Sequence, residues 1–143
     1  FDPEESKSYE LGMKISSMDG RLNTTIALFK MEKSNILTAD PVNAGESAAL
    51  GEAESEGLEI DITGELSDSV DMVFSYAYVD AGTSTDLYNF DWEVNLPAGS
   101  ELVNVPENSA NLMLTKQFNI NGADINNSIA IITCNRVFFT ACY

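Results

Sequence analysis

From Gly57 onward the chain alternates strictly between apolar and polar positions. Leu58, Ile60, Ile62 and Leu66 fall on one face, with Gly64 filling that row, while Glu59, Asp61, Thr63 and Glu65 fall on the other. A period of two over this length predicts a β-strand with one apolar and one wet face. Ser67-Asp68-Ser69 reads as a turn, and Val70–Asp80 as the returning strand. The pair predicts a long hairpin, greasy on one side and carboxylate-rich on the other, as the wall of a membrane β-barrel requires.

The same alternation predicts about six strands. Pro3, Pro41, Pro97 and Pro106 all fall outside the alternating segments, which is where a hydrogen-bonded ladder leaves room for proline. The first strand is expected over Ser8–Ser17, with Tyr9, Leu11, Met13 and Ile15 on one face and Glu10, Lys14 and Ser16 on the other. Asp19-Gly20 then signals a tight hairpin. The second, from Leu22 to about Asn35, alternates poorly and its faces stay unassigned, because Ile26 and Leu28 oppose Ala27, Phe29 and Met31. Thr38–Ser47 reads as a loop. Upstream of Gly57 the acids sit at Glu52, Glu54 and Glu56, in the parity that is apolar downstream. Either a bulge at Gly57 shifts the register, or the upper strand stands clear of any apolar layer. Ala81–Pro106 is the longest irregular stretch and holds Tyr88, Phe90 and Trp92 among Asp86, Asp91 and Glu93. The fifth strand is placed at about Asn108–Phe118, with Ala110, Leu112, Leu114 and Phe118 on one face and Asn111, Thr115 and Gln117 on the other. A short turn over Asn119–Asp124 leads to the sixth, from about Asn126 through Ile132.

Connections after strands one, three and five are short, and those after two and four are long. In an up-and-down meander all short turns then lie at one end and all long loops at the other, as in outer-membrane barrels. Tyr9, Tyr76 and Tyr78 lie at the long-loop end of their strands and Phe118 at the short-turn end. That is the placement of two interfacial aromatic girdles, set against a general preference of aromatics for strands.

Composition narrows the function. The 143 residues suffice for one domain, and a hydrophobic content of 44 % is that of a folded chain. A net charge of −16, from 7 basic and 23 acidic residues, opposes binding to nucleic acid and docking by charge on an anionic membrane surface. With no histidine and two cysteines a zinc site is not expected, and histidine-based catalysis is excluded. Glu59 and Asp61 are not expected to meet as an acid–base pair, so no enzyme is expected. No apolar run is long enough for a transmembrane helix, and Phe1-Asp2-Pro3-Glu4-Glu5 does not read as a signal peptide. Cys134 and Cys142 lie about 26 Å apart on an extended strand, too far for a disulfide, and read as two unpaired thiols.

Five blocks, in order, resemble the TonB-dependent outer-membrane receptors. Pro3-Glu4-Glu5-Ser6-Lys7-Ser8-Tyr9-Glu10-Leu11-Gly12-Met13-Lys14 resembles the family's "PE-x-S-x-x-YE-x-G-x-K" block. Ala27-Leu28-Phe29 with Lys33–Pro41 resembles its next strand and "KN-x-L-T-x-DP" exit. Gly51-Glu52 with Ser55–Glu59 resembles "GE-x-x-S-x-G-x-E". Ser75-Tyr76-Ala77-Tyr78 resembles "SYxY", and Leu102–Ala110 resembles "L-x-NVP-x-x-x-A". The spacing is most similar to the ferric-siderophore branch and covers Pro3 to about Phe118. Glu107-Asn108 departs from a pair that is often basic or His-containing, and the residues after about 132 depart from the expected glycine-rich strand.

The resemblance implies an all-β fold: an antiparallel up-and-down meander of about six long strands, an open segment of a large transmembrane β-barrel. It implies a fragment of the C-terminal half of that barrel, with the plug domain and the TonB-contacting segment elsewhere in a longer parent in the outer membrane of a Gram-negative bacterium. The parent would take up a ferric siderophore, meet outer-membrane lipid along its wall and use no cofactor. Six strands cannot close such a barrel, so residues 1–143 alone are expected to need detergent or denaturant and to bind no ferric siderophore. In the long fourth connection, Tyr88, Phe90 and Trp92 are the candidate ligand contacts, their rings suited to a flat chelate; the blander alternative has them packing on one another or anchoring the loop. Glu59, Asp61, Glu65 and Asp71 would face the wet lumen. The alternative from another class is a soluble all-β binding module, a sandwich of a surface protein, which would bury the apolar face that a barrel wall exposes.

Overall fold

The computed structural model describes residues 2–40, 43, 45–89, 94–102 and 104–135. Eight strands follow one another: β1 (Glu5–Ser17), β2 (Leu22–Ala39), β3 (Ser47–Ser67), β4 (Val70–Thr83), β5 (Leu87–Asn89), β6 (Val94–Leu96), β7 (Asn108–Ile120) and β8 (Ala123–Asn135). Six of them form one antiparallel sheet in the order β1-β2-β3-β4-β7-β8, and β5 and β6 pair as a separate small hairpin. The meander and its order are those expected from the alternation.

The ladder shows which residues share a face. Leu11 lies opposite Leu28, Leu28 opposite Leu58, and Leu58 opposite Tyr78. Phe74 lies opposite Leu112, and Leu112 opposite Ile131. One face therefore carries an apolar band through all six strands, and it includes Leu58, Ile60, Ile62, Leu112 and Leu114 as expected. The other carries Glu59, Asp61, Ser75, Asn111, Thr115 and Gln117. Among the described residues nothing packs on the apolar face. Leu11 is 73 % exposed, and Ala81 is the only buried apolar residue among those described. A sandwich would cover this face with a second sheet, so the sandwich expectation fails.

The register also settles the faces of β2. Ile26 and Leu28 lie in the apolar band, while Ala27, Phe29 and Met31 lie on the polar face. The bulge considered at Gly57 is absent: pairing runs without a shift from Gly64 through Gly57 to Ala53 on one side, and Gly57 pairs with Val79 in an unbroken run on the other. Glu52, Glu54 and Glu56 thus continue the same face as Leu58, Ile60 and Ile62, which turns from apolar to acidic along one strand. Register shifts occur instead between Lys33 and Leu37, where Asn35 has φ 59°, and between Glu65 and Ser67. The first lets β2 run on to Ala39, so Thr38, expected in a loop, is a strand residue only 5 % exposed.

The turns differ from expectation in detail. Asp19-Gly20 lies in a four-residue loop, closed by Ser17 opposite Leu22, rather than in a two-residue hairpin. Two turns have two residues: Asp68-Ser69, closed by Ser67 opposite Val70, and Asn121-Gly122, with φ 53° and 83° between the paired Ile120 and Ala123, the left-handed pair that a type I′ turn requires.

The apolar band does not follow the hydrogen-bonded rows. On β1 it runs from Tyr9 to Ile15, and on β8 from Ile131 to Ile125. The register carries Ile15 through Thr24, Ile62, Phe74 and Leu112 to Ile131, so the end of the band on β1 is level with its start on β8. Between Tyr9 and Ile131 the band has slipped along the strands by about 20 Å, across sheet steps that sum to about 24 Å. The strands are thus tilted by roughly 40° from the normal to the band's edge, within the tilt that closed membrane barrels adopt.

Candidate functional site

Three zones along the strands differ in chemistry. At the short-turn end the polar face is crossed by side-chain hydrogen bonds: the Thr115 and Ser128 hydroxyls lie 2.9 Å apart, and Gln117 Nε2 donates to Asp71 Oδ2 at 3.3 Å. At mid-height the same face has a hollow of about 280 Å³ lined by Glu59, Asp61, Ser75, Asn111 and Ile132. Residues two apart on a strand share a face, so Glu59 and Asp61 do lie together, against the expectation that they would not meet. The wet placement of Glu59, Asp61 and Asp71 on the polar face is as expected, and Glu65 pairs directly with Asp71.

Above the band at the long-loop end, both faces are charged. Lys30 Nζ lies 3.3 Å from Glu54 and 3.6 Å from Glu32, and Lys33 Nζ lies 2.8 Å from Glu4. The hydrogen bond and the charge of Glu54 hold the Lys30 ammonium above the usual lysine range, with smaller contributions from Glu32 and Glu56. Tyr9, Tyr76 and Tyr78 all lie on the apolar face at the upper edge of the band, Phe118 lies on it at the lower end, and Tyr76 donates its hydroxyl to Asn108 Oδ1 at 2.8 Å.

The long stretch after β4, expected to be irregular, is tied down. It turns back along β4 and bonds to it in steps: Val79 N–H to Glu107 carbonyl at 2.9 Å, Leu102 N–H to Ala81 carbonyl at 2.9 Å, and Thr83 N–H to Ser100 carbonyl at 2.9 Å. Thr83, 3 % exposed, donates its hydroxyl to the Pro97 carbonyl at 2.8 Å and accepts from Ser100 N–H at 3.2 Å. Asp86 accepts from Ala98 N–H at 2.8 Å. The Thr85 hydroxyl accepts from Glu52 N–H at 2.8 Å, joining the strap to β3. Thr83 and Asp86 are thus the organising residues of this end. No local pattern in the sequence marks them, because their partners lie more than ten positions away.

The paired β5 and β6 belong to this strap. Tyr88 stands in it, opposite Asn95. Phe90 and Trp92 lie outside the described residues, so the three candidates are brought to one connection by the chain alone. The pairing of Cys134 with Cys142 also falls outside, because Cys142 is not among the described residues. No group of three or more His, Cys, Asp or Glu side chains suited to a metal ion occurs among the described residues.

Comparison with known proteins gives a consistent result. The family described as TonB dependent receptor-like, beta-barrel matches residues 1–130. The metal-pseudopaline receptor CntO of Pseudomonas aeruginosa is 41 % identical over 127 residues, covering 87 % of this chain and 17 % of the receptor. The ferrichrome outer membrane transporter/phage receptor of Escherichia coli is 37 % identical over 112 residues, covering 78 % of this chain and 14 % of the transporter. The crystal structure of the siderophore receptor PiuA from Acinetobacter baumannii superimposes with a TM-score of 0.68 at 29 % identity, over 80 % of this chain and 17 % of PiuA. The chain therefore spans less than a fifth of the length of these proteins.

Proposed function

The chain belongs to the TonB-dependent receptor-like β-barrel family, and from that premise we propose that it forms part of the wall and outer loops of an outer-membrane transporter for a chelated metal of the ferric-siderophore class. The observation that carries this reading is the apolar band running through six strands with no layer of the described residues against it. Lipid covers that band, water fills the space before the polar face, and the charged upper zone with its strap stands outside the cell. Uptake is then a matter of capture and passage, coupled to TonB through parts of the parent beyond these residues, with no bond in the chelate made or broken. Relatives named for ferrichrome and for metal-pseudopaline share a ligand chemistry, a metal wrapped by a small organic chelator.

Tyr88, Phe90 and Trp92 are the proposed ligand contacts. What supports this reading is that the chain on either side of them is tied down, Thr85 to β3 through Glu52 and Pro97 to β4 through Thr83. Aromatic rings there offer flat apolar area to a chelate without ionising. The test uses the full-length parent in detergent, titrated with ferrichrome and with metal-pseudopaline. Saturable quenching of Trp92 fluorescence by one of them, with affinity at least tenfold weaker in Tyr88→Ala and Trp92→Ala, is expected. Unchanged affinity in both variants removes these residues from the site, and the absence of binding to any metal chelate removes the transport reading.

A further inference from the structure

Lys116 stands where a lysine should not be. It lies on the apolar face of β7, directly opposite Val70 on one side and Asn127 on the other. Leu114 precedes it along that face, and Phe118, Ile120 and Ile125 follow, the last three all exposed. Its ammonium is 5.0 Å from the centre of the Phe118 ring, so the side chain leans along β7 toward the short-turn end of the sheet. No carboxylate lies on this face of β4, β7 or β8 from Met72 down to Ala123, where Met72 and Val70, Leu114 to Ile120, and Ala123 to Ile129 occupy it.

The two lysines on the same face at the other end are treated differently. Lys30 lies between Glu54 and Glu32, and Lys7 stands opposite Glu32 across the ladder. In a chain of net charge −16, one cation on the lipid face has been left without an acidic neighbour. A charged group among apolar side chains needs a counter-charge, and a long lysine side chain reaches toward the headgroup layer to find one. The ring beneath the ammonium holds it in place but supplies no full negative charge.

Resting on the barrel reading above, we infer that Lys116 and Phe118 form a binding site for the headgroup phosphate of an anionic phospholipid in the leaflet at the short-turn end. The ring and Ile125 take the first methylenes of the acyl chains, and the ammonium takes the phosphate. Charge complementarity selects a lipid over other occupants, because the acceptor must sit at the boundary of an apolar band that none of the described residues covers.

The full-length parent, purified in detergent and offered phosphatidylglycerol or phosphatidylcholine, provides the test by native mass spectrometry. The wild-type protein should retain phosphatidylglycerol with an affinity about fivefold above that of Lys116→Gln, the factor expected for one surface cation facing an anionic lipid. Lys116→Arg should keep the preference, and phosphatidylcholine retention should be equal in all three. Equal phosphatidylglycerol affinity in wild type and Lys116→Gln, with lipid still retained, overturns the site but leaves the barrel standing. A parent that retains neither lipid and stays monodisperse without detergent overturns both.

Discussion

Phe29 and Gly57 are direct partners across the β2–β3 ladder, and the ring of Phe29 lies over the bare α-carbon of Gly57. A Cβ at position 57 would sit 2.7 Å from Phe29 Cζ and would also run into the backbone carbonyl oxygen of Tyr78. The glycine thus lets a large ring lie flat on the otherwise polar face, and it does so with no β-bulge. Gly57→Val should lower the stability of the refolded parent by about 2 kcal/mol, the usual cost of forced overpacking, read from its urea midpoint in detergent. Adding Phe29→Ala should recover only part of this loss, because the Tyr78 carbonyl remains in the way. Full recovery would mean that the ring alone demands the glycine.

The face assignment can be tested with one charge placed on either side of the same strand. Ile60→Lys sets a cation in the middle of the apolar band and should cost about 2–4 kcal/mol of folding stability in lipid vesicles. Thr63→Lys, three residues away on the polar face, should cost less than about 0.5 kcal/mol. Equal effects would show that the two faces meet the same medium.

Thr83 holds the strap that carries the β5–β6 hairpin. Thr83→Val keeps its shape but leaves the Pro97 carbonyl and the Ser100 N–H bonded only to each other, at 3.0 Å, a loss of roughly 0.5–1.5 kcal/mol for each bond removed. Amide exchange over 84–100 should quicken while that of β1 and β2 does not change. Protection that stays as in the wild type would mean the backbone bonds to Ala81 and Thr83 suffice.

Lys30 gives a pH signature. Its folded value lies above the unfolded one, chiefly through Glu54, so its contribution is complete at neutral pH, up to the unfolded value near 10.5. It fades only as the pH climbs through the raised value. Glu54→Gln should bring the Lys30 titration, followed by NMR of 13C-labelled lysine, back toward the ordinary range. Because solvent screens this partly exposed surface pair, stability at pH 7 should change little. A titration unmoved by the substitution would assign the shift to Glu32 and Glu56.

The alternation of Leu58, Ile60 and Ile62 with Glu59, Asp61 and Thr63 was enough to reveal strands, a two-faced sheet and, through the short and long connections, a sequential meander. These are properties of neighbours along the chain: a period of two has one geometric meaning, and Pro and Gly act where they stand. The ordered blocks from Pro3 onward carried the family. What lay beyond the sequence was everything decided between strands. Ile26 and Leu28 compete with Phe29 and Met31 for the apolar face, and only pairing with Leu58 and Ile60 resolves the contest. Glu52, Glu54 and Glu56 resemble a register slip until the ladder shows one face leaving the apolar band. The slant of that band from Tyr9 to Ile131, and the burial of Thr83 under partners from distant positions, follow from register and chain return. A sequence pattern constrains each strand's two faces, but the height at which neighbouring strands meet is set by the sum of their cross-strand bonds, and that sum exists only in the folded sheet.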